Sequence, residues 1–280
     1  DGLPVPALVD QLRRLAPDRD MVHRGATSQD VIDTALALTL RATSDLLDAR
    51  MADLDEALGD LDTRFGTRRM MARTRMQAAM PIAVARRIAT WREPLAGHRA
   101  RLADMRPEVE RVQIGGAAGD RAALGDAAPA VARAVADALG LAEPGSSWHA
   151  TRAGVASYGG LLAGLSGSLG KMGQDLCLMA QQGIDEVAFV SGGGGSSAMP
   201  HKQNPVLAEL LVTLGRFNAT QVSALHHAMI HEQERSGAAW SLEWMVLPQM
   251  AVAAARGLSA GLDLARDIAR LGPLDTDPRA

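Results

Sequence analysis

Apolar residues recur along most of this chain in alternating three- and four-residue steps. Between Asp30 and Leu61 the leucines at 40, 47, 54 and 61 fall every seven residues, and Met51 and Leu58 fill the steps between them. An α-helix repeats every 3.6 residues, so such spacing lines one face. It predicts a long helix packed nearly parallel to its neighbours. Tyr158, Leu161, Leu165, Leu169, Met172, Leu176 and Met179 repeat the alternation and predict a second helix. Glycines at 159, 160, 164, 167, 170 and 173 lie inside it. Each costs a helix about 1 kcal/mol relative to alanine. Their presence therefore points to close backbone approach by other helices, and to a run buried on most sides inside an oligomer.

A third helix is expected from Asn204-Pro205, with asparagine as N-cap and proline in the first turn. It would pass Leu207, Leu211, Leu214 and Phe217 towards Arg235. A fourth is expected over 243–271, with Pro248 as the place for a kink. Shorter helices are expected at 81–105 and 127–141. No strand-rich tract or internal repeat stands out, so the expected fold class is all-α, a bundle of long helices. The composition agrees: aromatics are only 3% while alanine, leucine and methionine abound, and those residues favour helix over strand.

The chemistry is narrowed mainly by exclusion. A net charge of −3 gives no global attraction to nucleic acid or to an anionic membrane. An anionic ligand would need a local positive site. The single cysteine, Cys177, excludes an internal disulfide framework and a cysteine-based zinc site. It reads as a core thiol, consistent with a reducing cytoplasm. No segment has the apolar length of a membrane span, and Asp1-Gly2-Leu3-Pro4 does not read as a signal peptide. A chain opening on aspartate reads as a trimmed product. His227 and His231 stand four apart, but the His-Glu-x-x-His order is absent, so they read as packed or solvated histidines rather than metal ligands.

The most informative stretch is Ser191-Gly-Gly-Gly-Gly-Ser-Ser-Ala-Met-Pro-His-Lys-Gln-Asn-Pro205. Consecutive glycines expose backbone N–H groups, and two serines, a lysine and an expected helix start follow. Backbone donors, an ammonium and a helix dipole together make an anion site. A plain Gly/Ser linker does not need that closing sequence, and the Gly-x-x-x-x-Gly-Lys-Ser/Thr pattern of a phosphate loop is missing.

Gly195-Ser-Ser-Ala-Met-Pro-His-Lys-Gln-Asn-Pro205 resembles the Gly-Ser-Ser-x-Met-Pro-x-Lys-x-Asn-Pro motif of the fumarase/aspartase superfamily. His23-Arg-Gly-Ala-Thr-Ser-Gln-Asp30, Arg73-Thr-Arg-Met-Gln-Ala-Ala-Met-Pro81 and Gln113-Ile-Gly-Gly-Ala-Ala-Gly119 resemble further family segments, in the family's order. Within the superfamily, 23–34, Trp148-His149 and 234–248, with its Glu-Arg-Ser and Glu-Trp elements, are most similar to the carboxymuconate cycloisomerases. The resemblance implies the central bundle of a homotetramer with active sites shared between subunits. It implies neither cofactor nor metal, and a substrate that is a small di- or tricarboxylate. It divides the chain into 1–30, the remnant of an N-terminal domain with the first active-site loop, 31–271, the helical bundle, and 272–280, the start of a C-terminal segment.

The reaction so implied is conversion of 3-carboxy-cis,cis-muconate to carboxymuconolactone, a step of aromatic catabolism. It proceeds by carboxylate addition and proton transfer through an aci-carboxylate. The resemblance makes Ser196, His23 and Lys202 the catalytic candidates, with Ser196 as proton-transfer residue. It makes Thr27, Ser28, Thr74, Gln77, His149, Asn204, Arg235 and Ser236 the substrate-binding candidates. Two positions depart from the pattern. Arg75 stands where lyase relatives carry a catalytic histidine, and Asp120 where threonine is common. Adenylosuccinate lyase, or another lyase releasing fumarate, is the alternative reading. A catalytically silent scaffold is the second.

Overall fold

The computed structural model describes residues 3–199 and 201–273. Asp1, Gly2, Pro200 and most of the 272–280 segment read as a C-terminal start lie outside the described residues. Among the described residues seven α-helices dominate: α1 (Val5–Leu15), α2 (Ser28–Phe65), α3 (Val84–Val109), α4 (Ala128–Leu139), α5 (Ala153–Met179), α6 (Val206–His227) and α7 (Ala238–Asp267). Short antiparallel pairs join β1 (Arg69–Thr74) to β2 (Gln77–Ala83), β3 (Val187–Phe189) to β6 (Ile268–Leu271), and β4 (Gly194–Gly195) to β5 (Gln203–Asn204). No described helix is long and apolar enough to cross a membrane.

The chain divides into two compact units. Asp1–Asp45, Ala103–Tyr158 and Ala224–Val246 make the first; Leu46–Leu102, Gly159–Ser223 and Leu247–Ala280 make the second. The first has a small core of Ala37, Val112, Ala136 and Leu141, with Leu38, Ile114, Val135 and Leu139 packed on it. Helix α4 ends at Gly140, which adopts φ 62°, and Arg41 donates to the carbonyls of Leu139 and Gly140 at 2.8 and 2.9 Å. A guanidinium at a helix C-terminus satisfies free carbonyls and complements the dipole.

The second unit holds the long apolar seam. Leu47, Met51, Leu54, Leu58 and Leu61 of α2 are all essentially inaccessible, as are Ile88 and Leu95 of α3 and Leu165, Met172 and Leu176 of α5. Each such side chain contributes about 1.5–3 kcal/mol through burial. Close helix approach occurs where α5 meets α6: a Cβ at Gly173 would stand 2.5 Å from the Ala208 carbonyl oxygen. Asn218 of α6 donates to the Ser166 hydroxyl at 2.7 Å and the Met250 carbonyl at 3.1 Å. On the other side of α5, Gly160, Gly164 and Gly167 are exposed within the chain.

Several boundaries differ from those expected. Helix α6 begins after Pro205, whose carbonyl accepts the first helical bond from Glu209 N–H at 3.0 Å, and Asn204 sits in β5 instead of capping it. It ends at His227, well before Arg235, so His227 and His231 do not share a helix. Helix α7 starts earlier than expected, at Ala238, because the Ser236 hydroxyl accepts the Ala239 N–H at 3.1 Å as a cap. It passes through Pro248 and ends at Asp267, where β6 takes over. The segment 69–83 is a hairpin.

Candidate functional site

The candidate residues fall into two groups, one in each unit. In the first unit a turn delivers the chain to the start of α2, with His23 (φ 66°) and Gly25 (φ 70°) in the left-handed region. Ser28 opens the helix. Asp30, three residues after Thr27, accepts the Thr27 N–H at 2.9 Å, the acidic half of a capping box. The same buried carboxylate accepts Gly115 N–H at 2.8 Å, Gly116 N–H at 2.9 Å and His149 Nε2 at 2.8 Å. One acid thus joins three of the segments on which the family resemblance rests. A carboxylate with these backbone donors can only accept, so Nε2 of His149 carries the proton. Its Nδ1 is buried without a partner among the described residues.

Arg235 extends this corner. Its guanidinium donates to the Thr27 hydroxyl at 3.0 Å and to the carbonyls of Gly116 and Ala117 at 3.1 and 2.9 Å. All three acceptors are uncharged, and it makes no ion pair among the described residues. Its positive charge stands beside the N-terminus of α2, where the helix dipole also favours an anion and the Asp30 carboxylate already accepts from Thr27 and Gly116. His23, Thr27 and Ser28 are half-buried here. Ser236 is buried, and its hydroxyl caps α7 and holds the exposed Glu232 carboxyl below its ordinary range. Asp120 is exposed and accepts the Ala122 N–H at 3.1 Å. The neighbouring Arg121 pairs with Glu143 at 3.0 Å instead.

Beneath His149 lies an ionic cluster to which the sequence reading assigned no role. Arg152 donates to Asp33 at 2.8 and 3.1 Å, and to Glu243 at 2.9 Å and through a second, shorter bond. All three side chains are at most 2% exposed. Trp240 Nε1 and Gln29 Nε2 also donate to Asp33, at 3.2 and 3.1 Å, and Gln29 reaches the His149 carbonyl at 3.0 Å. Burial pushes the Glu243 carboxyl up; Arg152 pulls it back only in part, and the Asp33 charge adds to the rise. Burial opposes the Arg152 charge, but its two carboxylates outweigh that and raise its pKa. The sequence held one cue to such organisation, the Thr-x-x-Asp spacing at 27–30.

In the second unit, Thr74 and Gln77 face each other across the β1–β2 turn, both exposed. Arg75 and Met76 form the turn with φ of 50° and 67°, the geometry of a tight hairpin that non-glycine residues rarely adopt. Arg75 thus stands at the hairpin tip. The hairpin is anchored by Arg73, paired with the buried Glu186 at 2.7 Å. The glycine-rich loop follows β3. Gly194 and Gly195 pair with Asn204 and Gln203, closing the loop at its base. Inside it, Ser196 Oγ accepts the N–H groups of Ala198 at 3.3 Å and Met199 at 3.2 Å. Donors aimed at a hydroxyl oxygen stabilise it when it gives up a proton. Here they come from the residues after Ser196, not from the glycines before it. Lys202 is exposed and makes no ion pair among the described residues.

Among the described residues, no three His, Cys, Asp or Glu side chains are grouped to hold a metal ion. Cys177 is half-buried on α5, and burial pushes its thiol up to about 11, so it is protonated at neutral pH.

A model of the lyase family matches residues 7–223. A 3-carboxy-cis,cis-muconate cycloisomerase of Pseudomonas aeruginosa is 40% identical over 245 residues, covering 87% of this chain and 53% of that protein. Its counterpart in Bradyrhizobium diazoefficiens is 39% identical over 250 residues, covering 88% and 55%. The crystal structure of 3-carboxy-cis,cis-muconate lactonizing enzyme from Pseudomonas putida superposes with a TM-score of 0.88 at 35% identity, covering 95% of this chain and 59% of that one. The chain therefore spans about half the length of the curated relatives it matches. The long-helix fold of this chain matches that of the fumarase/aspartase superfamily. The chain belongs to its lyase family.

Proposed function

We propose that this protein is a cofactor-independent cycloisomerase that converts 3-carboxy-cis,cis-muconate to carboxymuconolactone. One carboxylate oxygen of the substrate adds to a double bond conjugated with another carboxylate. The C–O bond forms as the π electrons move onto that second carboxylate, giving an aci-carboxylate. Ser196 then delivers its hydroxyl proton to the adjacent carbon and recovers a proton from solvent. The observation that carries this reading is the pair of N–H groups donated to Ser196 Oγ, which lowers the cost of the seryl oxyanion. The substrate-binding candidates remain Thr27, Ser28, Thr74, Gln77, His149, Asn204, Arg235 and Ser236, with Lys202 acting on a substrate carboxylate. His23 takes part as an orienting or relaying group. The identity of the muconate rests on the relatives at 40% and 39%.

The same reading makes the protein a cytoplasmic homotetramer with shared active sites. Val252 and Met245 on α7, Val206 on α6, and Ile230 are large apolar side chains left exposed on the single chain, and an assembly that covers them would remove that apolar surface from water. Purified protein should consume 3-carboxy-cis,cis-muconate, followed as loss of diene absorbance, and leave adenylosuccinate untouched. Cleavage of adenylosuccinate with no turnover of the muconate would replace this reading with a lyase. Light scattering should give about four chains per particle; a stable monomer at micromolar concentration would remove the shared site.

A further inference from the structure

The glycine-rich loop is held at its start by the last residue of α7. A helix C-terminus carries partial negative charge, so a carboxylate there is disfavoured unless donors reach it. Asp267 occupies that position and is met by such donors. Its carboxylate accepts the Ser191 N–H at 2.9 Å and the Ser191 hydroxyl at 2.5 Å. Its own carbonyl accepts the Val190 N–H at 2.7 Å. The β3–β6 ladder is thereby continued by one backbone bond, at Val190, and Ser191 is held beyond it by the Asp267 side chain.

The Ser191 hydroxyl passes the constraint on. Because its proton goes to Asp267, its lone pairs face the other way, and it accepts the Gly193 N–H at 3.3 Å. Gly193 turns the chain with φ 77°, so close to the returning strand that a Cβ would stand 2.6 Å from the Asn204 carbonyl oxygen. Gly194 and Gly195 then pair with Asn204 and Gln203, and Ser196 follows directly. A set of polar contacts runs from the α7 carboxylate to the residue before Ser196.

We propose that Asp267 is a positioning residue for the loop, acting through Ser191 and Gly193 to fix where the Ser196 hydroxyl stands. The inference rests on Ser196 as the proton-transfer residue. The carboxylate is required as such, since both Ser191 groups donate to it. In Asp267→Asn one acceptor becomes an N–H₂ group facing a donor.

Purified protein and its Asp267→Asn, Ser191→Ala and doubly substituted forms test this. Each single change should lower kcat on 3-carboxy-cis,cis-muconate roughly ten- to a hundredfold, with KM altered less than about threefold, as expected when a reacting group is displaced without loss of substrate contacts. The double variant should be no worse than the poorer single one, because both act on one contact path. Trypsin cleavage after Lys202 should accelerate in all three, while the thermal midpoint stays near that of the parent. Asp263→Asn, four residues earlier on α7, should leave both readouts unchanged. Unaltered Lys202 cleavage in the variants, or kcat losses that multiply in the double form, would overturn the proposal. If the parent turns over no muconate, the functional reading fails while the cleavage rates still decide whether Asp267 holds the loop. Should Asp267→Asn fail to fold, Ser191→Ala, at an exposed position, carries the same comparison.

Discussion

Replacing Arg152 with methionine tests the buried ionic cluster most sharply. Methionine keeps much of the stem that packs under Trp148, whose ring centroid lies 4.7 Å from the guanidinium carbon. It removes the cation that both Asp33 and Glu243 face. Those carboxylates are 0% and 2% exposed, so neither can turn to water. Breaking a buried ion pair by deleting one partner costs about 3–5 kcal/mol. Two stranded acids would cost more, except that one can take up a proton. Starting from an ordinary glutamate, protonation at pH 7 costs about 1.4 kcal/mol per unit over roughly 2.5 units, or about 3.5 kcal/mol. That limits the Glu243 share, while Asp33 keeps its bonds from Trp240 and Gln29. The expected loss is about 4 kcal/mol, a large part of the 5–15 kcal/mol typical of whole domains. Urea unfolding followed by circular dichroism, at one fixed protein concentration, measures it. Adding Glu243→Gln to Arg152→Met should recover about half, because it removes one of the stranded charges. A loss under about 1 kcal/mol, or a double variant no more stable than Arg152→Met, would refute the reasoning that these charges depend on one guanidinium.

The chemistry and the pH response give two further expectations. Ser196→Ala should lower kcat roughly a hundredfold or more, the usual scale of a lost proton donor, with little change in KM; Lys202→Met should instead worsen both parameters, since its charge acts on ground and transition states alike. Equal kcat in the parent and Ser196→Ala would remove serine from the proton-transfer role. The Glu243 carboxyl sits above the 4.5 of an ordinary glutamate, so the folded state holds its proton more tightly than the unfolded chain. Its contribution to stability is therefore fully present below that ordinary value and is lost as pH rises through the raised one. Urea midpoints at acid and neutral pH should show this decline in the parent and not in Glu243→Gln; identical profiles would mean that burial does not govern this group.

Much of the architecture is written locally. The seven-residue spacing of Leu40, Leu47, Leu54 and Leu61 needs only helical geometry to place all four inside, and they are buried. The glycine-rich motif and its relatives marked the family because their residues are contiguous. What the periodicity left open are the places where distant segments compete. Helix α6 stops at His227 with no proline or glycine there to end it, and Ser236 recruits α7 a turn before its apolar pattern begins. The hairpin at 69–83 lacks an alternating buried face, since most of β2 is exposed, and its turn uses Arg75 and Met76 where glycine or asparagine would have signalled it. The ionic cluster was least legible. Arg152 meets Asp33 from 119 residues away and Glu243 from 91, and a lone charged residue in a helical segment reads as solvated until the fold removes the water. The same holds for Asp30: its place three residues after Thr27 is local, but its bonds to Gly115, Gly116 and His149 exist only once three loops converge. Periodicity determines which face of a helix is buried, because that depends on neighbours a turn away. Which buried acid meets which donor is a property of chain crossings, and those are decided only by the tertiary structure.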